Sequence, residues 1–188
     1  MIVWNQFIST VAPFLDSVNS KSEADTARII ASTYGTTIQT ATIALIPNST
    51  ITVTPSTVAM ENAIVDTFDK IKQSERPPTP DQFQAWAAEI VNYWSAVTWK
   101  PNPPPAGYVS PIVGNVVTSG GTSSPLDVGL YTAFNNPPSS TPMGNVICTK
   151  LVSAFIQHLT LVSGTYDGLI PSPTGPVPGP PFLWVGVL

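Results

Sequence analysis

The sequence predicts a mainly α protein: a small helical bundle body with long Pro-rich extended arms and little β structure. Three observations predict it. Apolar residues recur at three- and four-residue spacing through most of residues 1–99, the period of a helix with one buried face. Eleven of the 21 prolines fall in two stretches, 100–121 and 170–188. Proline fixes φ and removes an amide donor, so neither stretch can be helical. Charge is also nearly absent from the second half, where only Asp127, Lys150 and Asp167 of the 18 charged residues lie beyond residue 100.

Trp4, Phe7, Ile8, Val11, Phe14, Leu15 and Val18 predict the first helix, with a kink or break at Pro13. Ser22 followed by Asp25 is an N-cap signature. The stripe Ala27, Ile30, Ala31, Tyr34, Ile38, Ala41 and Leu45 then predicts a helix reaching about Ile46 and stopping before Pro47. Thr50, Ile51, Thr52, Val53 and Thr54 make a short extended piece at most. A third helix starts near Ser56, carries Met60, Ala63, Ile64, Thr67, Phe68 and Ile71 inward, and ends before Pro77. The fourth has the clearest start, with Thr79 as cap, Pro80 at the first helical position and Gln82 at the third. Its inward stripe is Phe83, Trp86, Ala87, Ile90, Trp94 and Val97.

From Trp99 the character changes. Residues 100–121 are too long and apolar for an ordinary connection, and are expected to cross a surface. Ser124, Pro125 and Asp127 open a short helix, broken after Phe134. Thr141 and Pro142 open the last one, with Ile147, Leu151, Ala154, Phe155, Leu159 and Val162 inward and Gly164 at the expected C′ position. Residues 1–99 are thus the helical body, 100–140 an extended segment with one short helix, 141–164 a helix packed on the body, and 165–188 a Pro-rich arm.

Composition excludes several classes. Charged residues are 10% of the chain, where about a quarter is usual. A net charge of −4 without clustered Lys and Arg argues against direct nucleic-acid binding. No apolar run approaches the ~18 residues of a membrane helix, so no membrane partner is expected. The first residues lack a basic region before their apolar positions, which argues against a cleaved signal and for synthesis in a cytoplasm. Cys148 is the single cysteine, leaving no intrachain disulfide.

Candidate chemistry is thin. His158, the one histidine, sits on the edge of an apolar stripe, where a structural role outweighs a catalytic one; Ser153, His158 and Asp167 can be written as a triad, but no nucleophile-elbow motif accompanies them. Glu61, Asp66 and Asp69 stand beside Lys70 and Lys72 and do not share one face, the pattern of a solvated helix rather than a metal site. No catalytic residue, metal or cofactor is implied, and an enzyme is not expected. Trp86 and Trp94 read as core, whereas Tyr93, Trp99 and Tyr108 are freer and are candidate interface anchors.

The final arm carries Pro171, Pro173, Pro176, Pro178, Pro180 and Pro181, no charge, and the apolar tip Phe182, Trp184 and Leu188. An uncharged arm of this kind needs a surface to bury it, and these nine residues are the expected subunit interface. The PxxP spacing of Pro173 to Pro176 and Pro178 to Pro181 leaves a second reading open, an adaptor whose tail a polyproline-binding domain recognises.

A small helical body, very low charge, connections such as TWKPNPPPAGYVSP and a tail such as PTGPVPGPPFLWVGVL together resemble virion structural proteins of tailed bacteriophages, the contractile-tailed kind among them. The resemblance spans the chain in style and rests on no signature motif. It implies a many-copy, non-enzymatic component of the capsid, neck, tail or baseplate. Its partners would be further copies of itself or other virion proteins.

Overall fold

The computed structural model describes residues 2–16, 22–46, 48–74, 76–135 and 142–188. Mainly α structure is observed, with six α-helices among the described residues. Helix α1 (Trp4–Asp16) runs through Pro13 without a break; Val18 lies outside the described residues. Helix α2 (Glu23–Thr37) begins where its cap predicts, the Ser22 side chain accepting from the Asp25 N–H at 3.0 Å. It ends well short of Ile46, passing through a 3₁₀ turn at Ile38–Thr40. Residues 41–46 leave the helical path because their backbone is used elsewhere: Thr42 exchanges two hydrogen bonds with Leu188, and Ala44 N–H donates to the Gly186 carbonyl at 3.0 Å.

Strand β1 (Thr50–Val53) pairs antiparallel with β2 (Thr98–Lys100), and between them lie α3 (Val58–Gln73) and α4 (Gln84–Ser95). A 3₁₀ turn at Pro80–Phe83 leads into α4, with the Gln82 side chain accepting from the Thr79 N–H at 2.9 Å as the capping pattern predicts. Helix α5 (Ser124–Phe134) packs along α6 (Met143–Leu159), and α6 also packs on α1. Between α1 and α6 the approach is closest at Gly144, where a Cβ would lie 2.2 Å from the Ala12 carbonyl oxygen. Asp16 caps the start of α6 by accepting from Gly144 N–H at 2.7 Å.

The expectation of little β structure needs correction. Strands β3 (Ser110–Ser119), β4 (Ser163–Ile170), β5 (Val177–Pro178) and β6 (Phe182–Val185) form a four-stranded antiparallel sheet. β3 lies on one side of β4, and β5 and β6 share the other. Helix α6 accordingly stops at Leu159, and Gly164, expected as its C′ residue, lies inside β4. The two Pro-rich stretches are therefore partners of one another. Val109 N–H donates to the Leu169 carbonyl at 2.8 Å, and the Tyr108 hydroxyl donates to the Pro180 carbonyl.

Two aromatic clusters fill the helical core. Trp4, Phe7, Tyr34 and Phe155 meet at α1, α2 and α6, and Phe83, Trp86, Tyr131 and Phe134 meet at α4 and α5. Rings 4.7–6.4 Å apart in edge-on, tilted and stacked arrangements contribute beyond their buried area.

Candidate functional site

The residues expected to form an arm divide sharply by exposure. Pro171, Pro173, Pro176, Pro178, Pro180 and Pro181 are all exposed, and Leu188 is 53% exposed. Trp184 is 1% exposed and belongs to this chain's own core, so it is not free to enter a neighbour. Phe182 is half-buried against that core. The free anchors need the same correction: Tyr93 and Trp99 are buried, at 5% and 6%, and Tyr108 is half-buried against Tyr166 and Phe182.

A line of aromatic contacts explains why the tail folds back. The Trp94 indole N–H donates to the Tyr34 hydroxyl at 2.7 Å. Trp94 then stacks on Trp99 with ring centroids 6.2 Å apart, and Trp99 meets Trp184 edge-on at 6.1 Å. Trp99 is oriented by donating its indole N–H to the Thr118 hydroxyl at 3.0 Å, which in turn donates to the Val97 carbonyl. Burying one Trp side chain is worth roughly 3 kcal/mol, and the prolines before it reduce the conformational entropy the tail gives up on docking. The tail's apolar tip therefore docks on the nearest apolar surface, which is its own chain.

Gly120 joins the sheet to the helices. Its N–H donates to the Ser95 hydroxyl at 3.0 Å, and its carbonyl lies 2.7 Å from His158 Nε2. A Cβ there would sit 1.9 Å from the Val91 carbonyl oxygen, so only glycine fits. Because a carbonyl can only accept, His158 carries its proton on Nε2, and Nδ1 is buried without a partner. Burial pushes the His158 pKa below its ordinary 6.5, while the bond to Gly120 works in the opposite direction.

No triad forms around His158. Ser153 is exposed and donates to the Thr149 carbonyl of its own helix, and neither His158 ring nitrogen has a Ser or Asp partner. Asp66 pairs with Lys70 at 2.6 Å on an exposed helix face, and no cluster of three or more metal-ligating side chains occurs among the described residues. Cys148 is fully buried, and burial pushes its thiol up to about 12, with Asp16 adding to the shift. Among the described residues no helix is long and apolar enough to cross a membrane.

The tail's most exposed apolar side chains lie on the sheet. Its side chains alternate: Tyr166 and Trp184 point inward, while Ser163, Thr165, Leu183 and Val185 stand on the outer face. Leu183 is 71% exposed and Val185 58%. With Ser119, Ser163 and Thr165 they line a shallow, open groove. Residues 168–188 contain no charge. Sequence reasoning assigned the tail to an interface but missed which of its residues face outward. The signal was the two-residue period of Phe182, Leu183, Trp184 and Val185, which the surrounding prolines obscured.

No protein-family model, no curated protein and no solved structure matches this chain.

Proposed function

We propose that the chain is a non-enzymatic structural component of a viral particle, in its capsid, neck, tail or baseplate, and that it holds neighbouring subunits through its uncharged C-terminal sheet. The observation that carries this reading is an outer surface without charge over residues 168–188, presenting six prolines, Leu183 and Val185 to solvent. A free protein normally spreads charge over such a surface to stay soluble, whereas the cores of permanent interfaces are depleted of charge. The connecting device is a rigid sheet seated on its own body rather than a free arm. Preorganisation of that kind lowers the ordering cost of assembly.

The adaptor reading is weakened by the conformation of its motif. Pro173 to Pro176 spans a turn in which Gly175 has φ 110° and its N–H donates to the Ser172 carbonyl at 3.0 Å. A polyproline-binding groove requires an extended left-handed helix with φ near −75°. Pro178 is in turn held in β5 against Leu169.

Fractionating the producing cells by sedimentation, with mass spectrometry across the gradient, tests the proposal. The chain is expected to co-migrate with a large particle at constant stoichiometry. Recovery solely as a small free protein overturns it.

A further inference from the structure

No further inference is drawn: the strongest candidate, the apolar cavity of about 550 Å³ between the ends of the helices, lined by Phe14, Phe68, Phe134, Met143 and Ile147, lies where the chain enters and leaves 17–21 and 136–141, outside the described residues, and nothing in the structure shows what covers it.

Discussion

His158, read from the sequence as more structural than catalytic, links α6 to the residue that follows β3. It is 1% exposed, spends Nε2–H on the Gly120 carbonyl and leaves Nδ1 unpaired. Its folded-state pKa lies below the ordinary 6.5, so the unfolded chain takes up the proton first as pH falls. Stability contributed by the neutral ring is therefore complete above about pH 6.5 and lost progressively below it, toward the lower folded pKa. Urea titrations from pH 8 to pH 5 should show a decline that starts near 6.5, and His158→Gln, which retains a donor for Gly120, should flatten that part of the curve. An unchanged slope in the variant would assign the acid sensitivity to other groups. The lone histidine and its helix face were evident in the sequence. Its acceptor, 38 residues earlier, was not, because nothing local links Gly120 to α6.

At the scale of elements, the capped helix starts followed their local signals, whereas the ends of α2 and α6 and the tail did not. Ser22 and the Thr79–Gln82 pair cap where their spacing places them, because capping is decided within four residues. Strand pairing is decided by residues far apart: β3 and β4 are joined through two helices, and β6 inserts beside β4 only after a proline turn. The density of proline correctly excluded helix from 170–188, yet extended chain is as ready to be a strand as a free arm. Trp184 settles which. Trp184→Ala should destabilise the protein by about 3–5 kcal/mol, the usual cost of removing a buried aromatic. Pro176→Ala, at an exposed turn, should change stability by less than about 0.5 kcal/mol. Equal effects in chemical denaturation would mean that the tail is not docked as described.

For the whole molecule, the sheet and the helices share one core, since the Tyr34, Trp94, Trp99 and Trp184 contacts run from α2 to β6 without a gap. Shortening the chain after Leu169 would remove β5, β6 and the Trp184 ring at once, exposing Trp99 and freeing Thr42 and Ala44 of their backbone partners. The shortened chain should lose its cooperative thermal transition or melt at least 10 °C lower; a melting point equal to that of the full chain would make the tail a dispensable appendage. Assembly is therefore better probed by point changes on the outer face, such as Leu183→Lys, than by truncation. By itself the sequence determined the helix starts, the absence of helix in the Pro-rich stretches and the concentration of charge in residues 1–100, because each depends on neighbours in the chain or on composition. Only the tertiary structure decided that α2 ends at Thr37, that Tyr93 and Trp99 are core, and that the tail divides into a buried Trp184 and an exposed Leu183 and Val185. Those outcomes depend on contacts between segments tens of residues apart: backbone bonds from residues 42 and 44 to the tail, and the burial of indole rings against one another.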